Sequence, residues 1–464
     1  MTDDRSVVLL TVDSLRADYC GFMGSERGVT PNMDRHAAEG LVFENAVTPG
    51  PSTLDAMPGI FTGVDLVESD AGDLQDRLQH HMRAHRSLPE RFVDAGYETA
   101  AFTANPWTSR QFGFDTGFDH FEDFLEDPAD GEASGDESVR DTEVTGDGPT
   151  GGARNTADTA DASRGGSDTG DGDGEADGST LSPFGLVRRW AGESSMFQAW
   201  GSFADDAIAW ADDADDPYFL WLFLVDVHMP YLPVSGVRSQ TRPETYAANL
   251  WLYLNGHEAG PLESLARPRL VRAYEDTIRY TDDLFDRFLA DLPGDPLVAF
   301  HADHGEAFGE GGVYGHGPTL SEEQVHVPLF VANGPTGRVE RPFSLRRLPD
   351  LLLALGTGEG DVADLTGPYA TTRNRDPKFA LRGSDWKYVD DDGEPHLSDL
   401  ESGAQLAVDG DGPAGREPME GERLSTDGPL PALADDYVTA WQTHERERRR
   451  VAEAAREVAE TTDC

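Results

Sequence analysis

Three apolar runs in this chain each end on side chains that can ionise. Val7 to Val12 runs into Asp13, and Leu297 to Phe300 leads through His301 and Ala302 into Asp303 and His304. Tyr218 to Val225 runs into Asp226 and His228. Such runs fit strands buried on both faces, as in a parallel sheet covered by helices. Open sheets of that kind bind their ligands just past the carboxyl ends of their strands. The placement of Asp13, Asp303 and His304 therefore predicts one convergent site.

The segments between these runs carry helix signals. Thr30 and Pro31 form a helix start with proline at its first position, and Gly40 marks the end. Arg83 to Ala95 is amphipathic and stops at Gly96, and Thr99 to Thr103 is expected as a strand leading to Asn105. Leu262 to Leu292 has helical apolar spacing and feeds the strand that ends at Asp303. His326 opens a further strand, Val327 to Ala332. The predicted fold class is α/β, a mostly parallel central sheet flanked by helices, with a small C-terminal α+β subdomain. The expected division is a catalytic α/β domain over residues 1–340 and a C-terminal part over 341–464. Phe379 to Asp390 reads as a hairpin, His396 to Leu400 as a strand, and Ala432 to Val458 as a polar helix.

Composition bounds what surrounds that core. From Asp127 to Thr180 the chain is mostly Asp, Gly, Glu, Ser and Thr, which cannot bury enough to fold. It is expected as a disordered acidic insert without chemistry. Asp and Glu number 87 against 37 Lys and Arg, a formal charge of -50, and the lysines are Lys378 and Lys387 alone. That surface repels itself in dilute buffer. In about 1 M salt the Debye length shrinks to about 3 Å and the repulsion is screened, so a halophilic setting is expected. The same charge excludes nucleic acid as a partner. Two cysteines cannot build a disulfide framework. Tyr218 to Val225, the longest apolar run, is too short to span a membrane. The N-terminus lacks a cationic leader, so the expected location is cytoplasmic. The sequence leaves the oligomeric state open.

A Pro/Gly turn from Thr48 to Ser52 delivers the hydroxyls of Ser52 and Thr53 to a helix start, where backbone N–H groups favour an anion. The plainer alternative there is a helix cap. A Gly-rich loop, Gly309 to Gly317, supplies His316. Carboxylates with imidazole suit a divalent cation. A hydroxyl beside such a cation loses its proton more readily and becomes a nucleophile.

Taken in order, these stretches resemble the sulfatase family of the alkaline-phosphatase superfamily. Val8 to Asp18 is similar to the opening metal-binding strand, and Thr53 to Gly63 to the nucleophile helix. Asp303-His304-Gly305-Glu306, Gly315-His316-Gly317 and Val327-Pro328-Leu329 resemble the late metal and substrate motifs. The resemblance implies one divalent metal on Asp13, Asp303, His304 and Thr53, with Mn or Zn favoured and Ca or Mg possible. It implies Thr53 as nucleophile, His228 and His316 in proton transfer, and Asn105, His228 and His316 binding a small anionic ester substrate. Lys387 is expected as a surface residue. The family's formylglycine motif is absent: its positions read Thr53-Leu54-Asp55-Ala56-Met57, and threonine cannot become formylglycine. The implied activity is hydrolysis of sulfate or phosphate esters. Transfer of the group to an alcohol, and an inactive anion-binding relative, are the alternatives.

Overall fold

The computed structural model describes residues 4–66, 73–124 and 199–406, apart from 216, 257, 318, 375–377 and 392–393. The expected insert and the expected helix Ala432 to Val458 lie outside the described residues.

Val7–Val12 is the middle of the sheet, and all six of its residues are buried. It pairs in parallel with Tyr218–Leu224 on one side and Leu297–Ala302 on the other. The eight-stranded order runs Gly337–Val339, Leu41–Phe43, Leu329–Ala332, Leu297–Ala302, Val7–Val12, Tyr218–Leu224, Glu98–Thr103 and His120–Glu122. Leu329–Ala332 is antiparallel to both of its neighbours. The other pairings are parallel. Helices flank the sheet, chief among them Glu263–Asp291, with a buried stripe that includes Leu270, Tyr274, Ile278 and Phe285. Aromatic rings fill the layer on the other strands: Phe118 stacks on Phe219 and Trp221, and Phe92 lies flat on Phe219. This is the predicted α/β architecture.

Two local expectations change. Arg83 to Ala95 is not one helix. Leu74–Ala84 ends at His85, and Leu88–Asp94 begins afresh at Ser87. Ser87 and Glu90 form a reciprocal capping box, and Pro89 sits in the first turn, so the sequence carries its own restart signal.

Lys387 is not a surface residue. A five-stranded antiparallel sheet runs Ala370–Arg373, Phe379–Arg382, Trp386–Asp391, Glu394–Asp399 and Gln405–Leu406. Lys387 lies opposite Arg382, and the alternation of the strands turns both toward the short helix Glu322–Val325. There Glu322 pairs with Arg382 Nε at 2.9 Å and Lys387 Nζ at 3.0 Å. Both cations are only 4% exposed. Burial pushes the Glu322 carboxyl up, but Lys387 and Arg382 outweigh it and hold the group far below its ordinary 4.5. A depressed carboxyl stabilises the fold above about pH 4.5, and that stabilisation is lost as pH falls. Glu322→Ala strands two buried cations and is expected to cost about 3–5 kcal/mol. Denaturant titration at pH 7 checks this, and an unchanged midpoint would show that the triad does not tie this sheet to the α/β layer.

Candidate active site

The register that pairs Val12 with Ala302 puts Asp13 and Asp303 side by side at two strand ends. Asp13 N–H donates to Leu224 and Asp303 N–H to Val12, so the backbone of both residues continues the sheet. Ser14 then takes a left-handed backbone, with φ of 64°, a conformation uncommon outside glycine. Tyr274 of the long helix stabilises that turn. Its hydroxyl donates to the Ser14 carbonyl at 2.7 Å and accepts from Arg16 N–H at 2.9 Å. The turn aims Ser14 Oγ at Asp13 Oδ1, 2.8 Å away, and Ser14 N–H at Asp303 Oδ1, 3.3 Å away.

Thr53 is the first residue of the helix Thr53–Thr62. Its hydroxyl donates to Asp303 Oδ2 at 2.9 Å and lies 3.4 Å from His304 Nε2. Thr48 bonds the Asp303 carbonyl and so anchors the turn to the strand end. Ser52 faces away to Asp55, at 2.7 Å. Asn105 follows the strand Glu98–Thr103 and donates its amide to Asp13 Oδ2 at 2.7 Å. The His316 ring lies 4.5 Å from that of His304 and 5.1 Å from that of His228, between centroids. The seven residues that the resemblance assigns to the site, Asp13, Thr53, Asn105, His228, Asp303, His304 and His316, thus meet in one place. Asp226 does not join them. Its carboxylate accepts from Trp200 N–H at 3.0 Å, and burial pushes its pKa up to about 6.

The donor set fits a cation. Ligand atoms of Asp13, Asp303 and His304 all lie within 4.8 Å of one another, and all three residues are buried. His304 Nδ1 is 2.8 Å from the Gly305 carbonyl, which assigns its proton to that nitrogen. The Nε2 lone pair is then left facing Asp13 Oδ1 at 3.4 Å and Asp303 Oδ2 at 3.6 Å. Among the described residues, no arginine or lysine pairs with either carboxylate. Burial and the Asp13 charge push the Asp303 carboxyl well above its usual range. For Asp13, burial acts the same way, but His228, His304 and His316 outweigh it and bring the group below its usual range. Burial and then His316 bring His304 down to about 4, which keeps it neutral, the form that ligates metals. Two carboxylates and a lone pair converging at a buried point are what a divalent cation would satisfy.

The sequence alone assigns no individual role to Glu306 or Tyr231. Glu306 Oε1 lies 3.2 Å from His316 Nδ1, and Glu306 Oε2 accepts from the Tyr231 hydroxyl at 2.9 Å. Burial opposes a charge on His316, but Glu306 outweighs it and brings the pKa up to about 9. The one sequence signal for Glu306 is its place directly after Asp303-His304-Gly305.

A model of the sulfatase family matches residues 5–341. Over 94 residues the chain is 34% identical to an arylsulfatase of Clostridium perfringens, covering 20% of this chain and 19% of that relative. Over 81 residues it is 37% identical to a phosphoethanolamine transferase of Helicobacter pylori, covering 16% of each. The chain thus aligns with less than a fifth of either relative's length. The solved structure of a phosphonate monoester hydrolase of Agrobacterium radiobacter has a TM-score of 0.54 at 15% identity, with 96% of both chains covered. A 2-O GAG sulfatase gives 0.55 at 16% identity, over 96% of this chain and 94% of that one. A Vibrio parahaemolyticus protein of the alkaline phosphatase superfamily gives 0.54 at 15%, over 88% and 83%. These structures share the fold. With the family match running through most of its length, the chain belongs to the sulfatase family.

Proposed function

We propose that this protein is a metal-dependent hydrolase of sulfate or phosphate esters in which Thr53 is the nucleophile. The observation that carries the reading is the Thr53 hydroxyl, 2.9 Å from Asp303 at the start of a helix and beside the cation-ready cluster. Asp13, Asp303, His304 and Thr53 would hold the cation, with manganese or zinc favoured because an imidazole is among the donors. When bound, it supplies positive charge against the ester's oxygens. Thr53 Oγ1 forms a bond to phosphorus or sulfur as its proton passes to the Asp303 carboxylate. The ester bond to the leaving oxygen breaks, and that oxygen takes a proton from His316. Water then attacks the threonine ester, gives a proton to His316, and releases Thr53 Oγ1, which recovers its own proton from Asp303. Asn105 and His228 are assigned to hold the anion.

The substrate class follows from the nucleophile. A formylglycine hydrate expels sulfate by collapsing to an aldehyde, and a threonine has no such route. Its ester must be cleaved by a second attack, which phosphorus accepts more readily than sulfur. Met57, at the position of the family's arginine, is fully buried in the apolar core and offers the anion nothing. Phosphodiesters and phosphonate monoesters are therefore expected to turn over faster than aryl sulfates. A panel of nitrophenyl esters tests this. Efficient aryl-sulfate turnover without phosphoester turnover would overturn the preference, and silence on the whole panel would favour an inactive anion-binding relative. The likeness to a phosphoethanolamine transferase favours a second reading, in which an alcohol replaces the attacking water. An added alcohol acceptor that captures most of the product would select it.

The acidic surface supports a halophilic setting. The melting temperature is expected to rise from dilute buffer to molar KCl, and one that does not move would count against it.

A further inference from the structure

We propose that Glu306 is a positioning residue that fixes which edge of His316 faces the Thr53–Asp303 cluster and thereby sets proton delivery to the leaving group. The inference rests on the hydrolase reading above and deepens it.

Glu306 is held from several directions. It is fully buried, its N–H donates to the Glu323 carbonyl at 3.0 Å, and its own carbonyl accepts from Arg16 Nη1 at 3.0 Å. The side chain is equally constrained. Tyr231, itself fully buried, donates to Oε2, which leaves Oε1 for His316 Nδ1. His316 is the opposite case. It stands between Gly315 and Gly317, with φ of 87° and 140°, backbone positions that favour glycine. Its ring, with a side chain 21% exposed, is oriented from outside the loop. A carboxylate on one ring nitrogen fixes which nitrogen is left for other work. Nδ1–H stays on Glu306, and Nε2 serves the site. In the step itself, the Thr53 Oγ1–phosphorus bond forms and the bond from phosphorus to the leaving oxygen breaks. The Nε2 proton moves to that oxygen, and Nδ1–H remains on Glu306.

The test compares leaving groups. Glu306→Gln keeps the shape and the acceptor for Tyr231. It is expected to lower kcat/KM, which reports only the steps up to loss of the leaving group, about 10–100-fold for a methyl or phenyl diester, whose leaving oxygen needs a proton. For a p-nitrophenyl diester, whose leaving oxygen does not, the loss is expected to be far smaller. His316→Ala should show the same bias, and Glu306→Gln added to His316→Ala should cost nothing more. Equal losses with both leaving groups, or additive losses in the double variant, would overturn the proposal. Should Glu306→Gln fail to fold, Tyr231→Phe replaces it with the same expected bias, and an unbiased loss there overturns the proposal too. Wild-type protein inactive on every ester would bring down the hydrolase reading and this inference with it. An active wild type with unbiased variants would bring down this inference alone.

Discussion

Thr53→Ala is expected to lower ester turnover by about 10⁴- to 10⁶-fold while the protein stays folded. The loss follows from the geometry. The variant deletes the oxygen that faces Asp303 at 2.9 Å, and among the described residues no other side-chain hydroxyl bonds that carboxylate. Ser52 is adjacent in the chain, but its hydroxyl is turned to Asp55. Ser52→Ala is accordingly expected to keep turnover within a few-fold and, through loss of the hydrogen bond to Asp55, to lose about 1 kcal/mol of stability. Thr53→Ser should retain a measurable rate, because it keeps the oxygen. Single-turnover kinetics on the three variants checks this, with mass spectrometry of the peptide around Thr53 to show an unmodified side chain at rest. An active Thr53→Ala protein would remove Thr53 from the mechanism.

Asp303→Ala is expected to abolish both metal retention and turnover. Asp303 is the residue on which the cluster converges: Thr53, the Ser14 N–H and the His304 N–H all donate to its carboxylate. Removing it leaves Asp13, His304 and the neutral Thr53 hydroxyl, a set with one carboxylate instead of two and too weak to hold a cation tightly. Metal analysis after gel filtration in metal-free buffer gives the readout independently of any substrate. Normal metal content in a folded Asp303→Ala protein would place the cation elsewhere.

Much of this was legible in the sequence, and the reasons are particular. Asp13, Asp303 and His304 were visible because each ends or directly follows an apolar run too short for anything but a buried strand. Thr53 was visible because a Pro/Gly turn leads into it. Other features depend on information that a one-dimensional pattern does not carry. Asp226 and His228 follow the same strand, yet one turns to Trp200 and the other to His316, because the loop bends between them. Lys387 sits on a strand whose two faces both carry polar residues, so alternation alone does not say which face is covered. Glu306 needs Tyr231, 75 positions away, to reveal what holds it. The break at Ser87 was readable from its capping box, and the helix period on either side obscured it.

The two central carboxylates lie on neighbouring strands yet are 290 positions apart in the chain. A polypeptide emerging from the ribosome at about 5–20 residues per second needs about 15–60 s to bring out the second after the first. Closing a loop of that length costs about 5 kcal/mol of chain entropy beyond the constant term. During that interval the apolar strand Val7–Val12 has no partner on its Leu297–Ala302 side and is open to pairing with other chains. The strand Leu297–Ala302, which brings Asp303 into place, also covers that edge, and Leu329–Ala332 later pairs along its other side. A nascent chain therefore gains the Thr53–Asp303 contact and covers that side of Val7–Val12 in one event, and a product that ends before Leu297 has neither.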